Sequence, residues 1–573
     1  MCLRLTPFLL LATVVVPALS AGDLTARFDL TVNRIEKGGP PLYTEDLLVA
    51  DAIPRHTRRF TEFSGDVSGR YIGAMALAAQ YTGRPVPLLD RVVTRVIACQ
   101  KPDGHFGDPM STGGKVTTAD MAILWGNGRL LVGLLEFYRA SPRADVLAAA
   151  RKLADFFVGI APVLNSEAVR AEFNGDKFAV GYICWTHITE GAVELYRITR
   201  DERYLQLAKE LAARTDRHPN QHSHGFLTSV RGIVALYRVT GERAYLEQAE
   251  REWKGVIDSG NLALHGAVPE MFAPAVKRDE GCSEADWLRF SLDLWRATGD
   301  RKYLDAAEHT LFNEFSYNQF HTGDFGHHIN DANGYGTAFA RAWWCCTFHG
   351  LRAMVDVFDN VFREQGGAVE YNLPVDGRAP GVRAHSTLER DGTVRLVLSR
   401  RIPRLRIRCP EWAESVAVTL GGRKLAARPR DGYIELAAKA GDAITIAYRF
   451  RTGIVRDASG SKAAVFRGPW LLAVDEAASP NYFDEPSGEN QAMLAPLPAP
   501  RPGASSAAAA PFSVPAARLE LKYLPGGYPM QPATALLRPI AEHTGAPDGN
   551  PVSWWLPVKP EKQRLDATYT PQP

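Results

Sequence analysis

The sequence predicts an (α/α)6 barrel of helical hairpins followed by an antiparallel β-sandwich. Two observations carry this reading. Between about residues 65 and 364 a short signature recurs at the ends of successive amphipathic helices: Phe137-Tyr138-Arg139-Ala140, Leu195-Tyr196-Arg197-Ile198-Thr199, Leu236-Tyr237-Arg238-Val239-Thr240 and Leu294-Trp295-Arg296-Ala297-Thr298, with Ala79-Gln80-Tyr81-Thr82-Gly83 as a weaker copy. After Gln365-Gly366-Gly367 the pattern changes to two-residue alternation, the period of a half-buried strand. A third feature marks the site: three of the seven cysteines fall in Glu280-Gly281-Cys282 and Trp343-Trp344-Cys345-Cys346.

The chain of 573 residues is too long for one ordinary core, so several domains are expected. With 46% hydrophobic and 23% charged residues the composition is that of a globular protein. A net charge of +2, with basic residues scattered, leaves no electrostatic footprint for nucleic acid. Residues 1–20 read as a signal peptide: Arg4 supplies charge, Phe8 to Val16 is the apolar core, and Ala18-Leu19-Ser20 is a small-residue cleavage site. Its apolar run is too short for a membrane span, and no later segment reads as one. The expected location is periplasmic or secreted.

Export bears on the cysteines, because disulfides persist in oxidising compartments. A bond between the neighbours Cys345 and Cys346 would close a strained ring. Cys99, Cys184 and Cys409 read as isolated core thiols, so a disulfide scaffold is not expected.

Residues 26–64 read as irregular chain wrapping the barrel, and residues 21–364 as the barrel domain. Each signature is followed by a polar turn and mostly by a second amphipathic helix, such as Ala244-Tyr245-Leu246 to Trp253. Such hairpins need neighbours to bury their apolar faces. Uneven spacing between copies favours a closed ring, with about six hairpins, over an open solenoid. Thirteen positions before Tyr237 stands His224, before Trp295 Cys282, and before Phe358 Cys345. These three therefore occupy equivalent places near the starts of inner helices, where helix N-termini favour thiolates. Residues 365–480 read as the sandwich, with strands at Val394–Leu398, Leu405–Cys409, Ser415–Leu420, Tyr433–Leu436 and Ala443–Tyr448, and a turn at Gly421-Gly422. Residues 481–573 read as a linker, Pro- and Ala-rich over 494–512, then a β-rich segment that packs on the sandwich or the barrel.

Three thiolates and the Glu280 carboxylate make a four-coordinate zinc site, since zinc accepts both donor types. From the spacing alone, a closed structural site and a catalytic one are equally compatible.

The Glu280-Gly281-Cys282 and Cys345-Cys346-Thr347 pieces, in a hairpin barrel with a sandwich behind it, resemble the β-L-arabinofuranosidases of glycoside hydrolase family 127, also known as DUF1680. Leu134 to Arg139, Arg408-Cys409-Pro410-Glu411-Trp412-Ala413 and Phe466-Arg467-Gly468-Pro469 extend the resemblance over most of the mature chain. It implies an exported retaining hydrolase releasing β-L-arabinofuranosyl or a related sugar from plant-type glycans. It implies zinc on Glu280, Cys282, Cys345 and Cys346, with Cys345 as the nucleophile that forms a thioglycosyl intermediate. A Glu acid/base precedes the Glu-x-Cys motif in the family; Glu270, in Pro269-Glu270-Met271-Phe272, is the nearest match, though its interval to Glu280 is shorter than the family's and the preceding Gly is missing. His187 and His224 fit the family's sugar-holding histidines, with His222 a rival, and Trp344, like Trp343, either stacks on the sugar or packs the barrel. Where the family often has a histidine, this sequence reads Trp125-Gly126-Asn127-Gly128-Arg129. Glu284 and Asp286 read as helix-surface or N-terminal charges, and His327-His328 with His349 as a second metal site or plain loop residues. The implied partner is a carbohydrate, and a homo-oligomer is compatible with the sequence. Two other classes fit less of it: another glycan enzyme on the same barrel, a uronyl hydrolase or lyase, which needs no cysteine cluster; and a non-catalytic glycan-binding protein with structural zinc.

Overall fold

The computed structural model describes residues 23–58, 60–111, 115–174, 178–273, 278–329, 335–336, 341–457, 462–475, 492–494, 512–519, 530–543 and 552–557. The signal-peptide reading of 1–20 and most of the Pro/Ala-rich stretch lie outside the described residues.

Six inner helices, Asp66–Thr82, Thr118–Ala140, Thr189–Thr199, Ser223–Thr240, Gly281–Thr298 and Trp344–Val361, pack each against the next, and the sixth packs on the first to close the ring. Five outer helices, Pro87–Ala98, Ala144–Leu164, Glu202–Ala212, Arg243–Asp258 and Arg301–Thr310, each follow and back an inner one. The sixth outer position is filled from the other end of the chain: Leu24–Lys37 packs on the last inner helix. Irregular structure was expected there. The helix buries Arg27 and Arg34 beside Leu24, Phe28, Thr31 and Ile35, and charges on the inward face hide its apolar period.

The recurring signature is a helix stop. Thr82, Thr199, Thr240 and Thr298 each donate a hydroxyl bond to the carbonyl four residues back, at 2.8–2.9 Å. After three of them Gly83, Gly241 and Gly299 take the left-handed conformation, at φ of 69°, 73° and 76°, that closes a helix and lets the chain reverse. Outer helices are one-sided, as in Leu246, Ala249, Trp253 and Val256. Inner helices are buried nearly all round, so polar residues on them face the axis or a neighbouring helix rather than solvent.

Behind the barrel, a six-stranded sheet runs in the order Arg423–Lys424, Ala413–Leu420, Ala443–Phe450, Thr393–Leu398, Val382–Thr387, Gly377–Ala379. A four-stranded sheet, Tyr433–Ala438, Ile402–Arg408, Ala368–Tyr371 and Phe362–Gln365, shares its hydrophobic core. All paired strands among the described residues are antiparallel except Val369–Tyr371, which runs parallel to Leu405–Ile407. Arg408 ties this sandwich to the fifth outer helix through Glu308, 2.8 Å away, and the Trp412 indole donates to the same carboxylate at 2.8 Å.

The sandwich ends at Phe450 rather than near residue 480. Strands Thr452–Arg456, Lys462–Arg467 and Trp470–Asp475 join Met530–Pro539, Phe512–Leu519 and the short strands at 552–557 in a third sheet. It is drawn to the helical domain because Asn313, in a π-helical turn at Leu311–Phe315, pairs with it in both directions: it donates to the Pro469 carbonyl at 3.0 Å and accepts from the Leu471 amide at 2.7 Å. Phe466, Leu471, Ile540 and Trp554 then form a small core with Tyr317. Full burial of such side chains contributes roughly 1.5–3 kcal/mol each.

Candidate active site

His224, Cys282 and Cys345 are each the second residue of their inner helices, which begin at Ser223, Gly281 and Trp344. The thirteen-residue interval thus places them at the same level of the ring, at one mouth. Cys346 follows on the sixth inner helix, and Glu280 is the cap residue of the fifth. Glu280, Cys282, Cys345 and Cys346 bring one ligand atom each to within 4.8 Å of the others. The Cys282 and Cys346 sulfurs are 3.7 Å apart and those of Cys345 and Cys346 3.9 Å. A tetrahedral ion with 2.3 Å Zn–S bonds requires about 3.8 Å between sulfurs, so this donor set fits zinc.

Cys345 is 7% exposed, whereas Cys282 and Cys346 are sealed at 0%. Burial alone would push the Cys345 thiol up. Hydrogen bonds from the Cys282 and Cys346 thiols, and the Arg70 guanidinium, outweigh it and hold Cys345 well below the ordinary thiol range. The other two thiols are driven well above it, first by burial, with Cys345 adding to the rise in both. The thiol held lowest is thus the one that keeps some exposed surface.

Arg70 is central to the mouth. It ion-pairs with Asp66 at 2.7 Å, approaches the Cys282 sulfur at 3.6 Å and meets His224 Nε2 at 2.8 Å. On its other side His224 Nδ1 lies 2.6 Å from Asp286. Asp286, expected as a surface charge, is fully buried one turn below Cys282. It gathers His224, His349 at 2.8 Å, Thr228 at 2.7 Å and Arg231 at 3.3 Å. Burial would raise its carboxyl, but His349 and His224 hold it well below the usual range. Glu284 is buried as well and accepts the Val268 amide at 3.0 Å. The surface reading failed because an inner helix of a closed ring has no solvent face.

Glu280 accepts from His222 Nε2 at 2.9 Å. Against burial, that contact holds Glu280 well below the carboxylate range. Glu270 comes from the connection between the fourth outer and fifth inner helices, where Pro269 bridges to Asp279 and the Glu270 amide bonds the Arg278 carbonyl at 2.9 Å. Its carboxylate is 5% exposed, pairs with Arg278, and is raised first by burial and then by the charge of Glu280. A carboxyl raised by burial and by Glu280, a member of the cluster, suits a general acid.

The predicted sugar-binding residues are placed differently. His187 has both ring nitrogens against backbone carbonyls, those of Ile183 at 3.1 Å and Trp125 at 3.2 Å, and stacks under the Trp125 ring at 4.8 Å. His224 likewise has both nitrogens engaged, by Arg70 and Asp286. Trp344 is half-buried at the rim, 6.4 Å from the Phe60 ring, and Trp343 is 5.4 Å from the same ring. Trp125, with its ring against His187, His222 and His224, is the aromatic wall that the sequence reading treated only as a departure from a family pattern. His327-His328 and His349 do not converge: His349 belongs to Asp286 on the barrel axis, while His328 stacks on Tyr317 and Phe320 outside it. Asp66 and Arg70 went unnoticed, although an i, i+4 ion pair inside an otherwise apolar run was the available signal.

The helical ring, the sandwich behind it and a thiol–carboxylate cluster at the mouth define a carbohydrate-hydrolase architecture. The family model for the catalytic domain of the family 127 β-L-arabinofuranosidases matches residues 42–358, and that for the family's middle domain matches residues 373–451. The chain belongs to glycoside hydrolase family 127. Among solved structures it is similar to a family 127 β-L-arabinofuranosidase from Geobacillus stearothermophilus T6, with a TM-score of 0.70 and 16% identity over 94% of this chain and 100% of that one. A second family 127 β-arabinofuranosidase gives a TM-score of 0.67 at 18% identity, covering 93% of this chain and 94% of that one. No curated protein matches the chain by sequence. Among the described residues no helix is long and apolar enough to cross a membrane.

Proposed function

We propose that this glycoside hydrolase is an exported, retaining enzyme of the β-L-arabinofuranosidase type, with Cys345 as nucleophile, Glu270 as acid/base and zinc on Glu280, Cys282, Cys345 and Cys346. The observation that carries the reading is the asymmetry of the thiols: Cys345 alone keeps exposed surface and is held low by its neighbours, while Cys282 and Cys346 are sealed. In the first step the Cys345 sulfur attacks the anomeric carbon. The carbon–oxygen bond to the leaving group breaks, and that oxygen takes the Glu270 proton. In the second step Glu270 removes a proton from water, whose oxygen attacks the same carbon; the carbon–sulfur bond breaks and the thiolate is restored. Two inversions at one carbon retain the configuration. Zinc, when bound, keeps the cluster thiols deprotonated at neutral pH and protects them from oxidation outside the cell. Arg70 orients the mouth through Cys282 and His224, and Trp125 with Trp344 supplies apolar surface for a sugar face.

Cys345→Ser should lower turnover of an aryl β-L-arabinofuranoside by at least about 10³-fold, since a hydroxyl lacks the thiolate's nucleophilicity at neutral pH. A sugar-linked haloacetamide should label Cys345, with substrate protecting it; mass-spectrometric location of the adduct on Cys346, or robust turnover by the serine variant, would reject the mechanism. Glu270→Gln should lose about 10²–10⁴-fold on natural glycosides and much less on nitrophenyl leaving groups, which need little protonation. Equal losses on both substrates would remove Glu270 from the role. Export is checked by N-terminal sequencing of the protein from its native host, which should begin near Ala21.

A further inference from the structure

On the far side of the Glu280–Cys282 turn, away from the barrel axis, lies a second group of ligand-type side chains that the proposed chemistry does not use. Asp279, Glu314 and His328 each bring one ligand atom to within 4.8 Å of the others. All three are at most 2% exposed. The chain delivers them from three separate segments. Asp279 ends the connection into the fifth inner helix, Glu314 sits in the π-helical turn after the fifth outer helix, and His328 follows the short strand Gly326–His327. A π-turn inserts one extra residue per turn and re-aims the side chains on it, and such turns recur at functional sites.

The surroundings are built to hold these groups in place. Asn318 Nδ2 stands 3.4 Å from Asp279 Oδ1, 3.5 Å from Glu314 Oε1 and 3.4 Å from His328 Nδ1, with its own carbonyl fixed by the Gly326 amide at 3.0 Å. The His328 ring is clamped between Tyr317, at 4.6 Å, and Phe320, at 5.2 Å. Such supporting contacts orient ligands around metals.

The charge balance of this cluster differs from that of the barrel mouth. Of the other buried carboxylates in the helical domain, Asp66, Glu136, Asp286 and Asp324 each face an arginine, while Asp51 and Asp120 accept backbone amides. Glu314 and its neighbour Glu284, both 0% exposed, have no lysine or arginine in ion-pair range among the described residues. Glu314 Oε2 accepts no aligned hydrogen bond although it is sealed from solvent, and the same holds for His328 Nε2. His265 Nε2 stands 2.9 Å from Glu314 Oε2 without the alignment of a hydrogen bond. Buried charges are paired or coordinate a metal.

We propose that Asp279, Glu314 and His328 bind a divalent transition-metal ion of the zinc or manganese class. Two carboxylates and one imidazole favour that class over calcium, which takes oxygen ligands only. The ion would fasten together the three segments that frame the mouth from behind, and would fix the residue next to Glu280. This site is separate from the cysteine cluster and does not depend on the role given to Cys345.

Full-length protein equilibrated with Zn²⁺ and desalted should carry about two ions per chain by mass spectrometry of the metal, and Glu314→Gln about one, with its cysteines still protected from alkylation. A wild type that retains a single ion with both Zn²⁺ and Mn²⁺, or a Glu314→Gln protein that still retains two, would overturn the proposal. Should that variant fail to fold, anomalous diffraction from wild-type crystals grown with Zn²⁺ or Mn²⁺ decides: a peak enclosed by Asp279, Glu314 and His328 is expected, and its absence with either ion while the cysteine cluster is filled would overturn the site.

Discussion

Asp286, on the fifth inner helix, and Glu314, in the turn after its outer partner, are both wholly buried carboxylates, and the molecule treats them in opposite ways. Asp286 faces the barrel axis, where inner helices converge. It is met by two histidines, a threonine and Arg231, with Arg289 a further 3.5 Å away. Glu314 faces outward, between the ring and the third sheet, where the neighbours are Asp279, Glu284, His265, His328 and aromatic rings. On the axis the ring itself supplies cations, because arginines on successive inner helices point to a common centre. Outside the ring, each group comes from a different connection, and no repeated position delivers an arginine. The difference teaches where this fold can neutralise charge with its own chain and where it depends on something added.

Exchange of each acid for its amide tests that contrast. Asp286→Asn should destabilise the protein toward the lower end of the ~3–5 kcal/mol that breaking a buried ion pair costs, because Arg231 and Arg289 keep other carboxylates. It should also lower turnover, since His224 and, through it, Arg70 lose their anchor at the mouth. Glu314→Gln in chelator-treated protein should change stability by less than about 1 kcal/mol or stabilise it, because a neutral isostere replaces a carboxylate that no arginine compensates. Urea unfolding of both variants measures the two differences. Similar losses for both would show that the arginines on the axis are not what separates the two sites.

Much of this was legible in the sequence. The threonine stop recurs in four of the six inner helices, three of them followed by glycine, because those helices must turn back into an outer partner, and the repeat in turn located His224, Cys282 and Cys345 at one level. The cysteine spacing is specific because no helix or sheet needs two adjacent thiols. What could not be read follows from closure. Asp286 and Glu284 have the pattern of surface acids on an isolated helix, and only the neighbouring helices bury them. His187 and His224 have the right position for sugar contacts, yet backbone carbonyls in one case, and Arg70 and Asp286 in the other, already take their nitrogens. The third sheet was illegible because its strands at 462–475 and 530–539 are far apart in sequence, and because Asn313, which draws it to the ring, is a single polar residue in a turn whose π geometry leaves no sequence period.

The last contrast concerns a histidine on the same outer side as Glu314. His309, on the fifth outer helix, has Nε2 2.8 Å from the Leu264 carbonyl and its ring 5.9 Å from Phe466 of the third sheet. Burial lowers it to about 4 with no carboxylate beside it, whereas His224 on the axis meets Asp286 yet is held at about the same value by burial and the Arg70 charge. A histidine whose folded value lies below the unfolded one, near 6.5, takes up its proton first in the unfolded chain. Its stabilising contribution is therefore complete above pH 6.5 and is lost as pH falls from 6.5 toward 4, by up to roughly 3 kcal/mol for a shift of that size. His309→Gln keeps a donor for the Leu264 carbonyl but carries no titrating proton. Urea unfolding at pH 7 and pH 4.5 should then show a shallower acid loss for the variant than for the wild type, so that the variant gains relative stability as the solution is acidified. Parallel losses in the two proteins would mean that acid sensitivity comes from other groups, and that the seam between ring and third sheet tolerates a charge at His309.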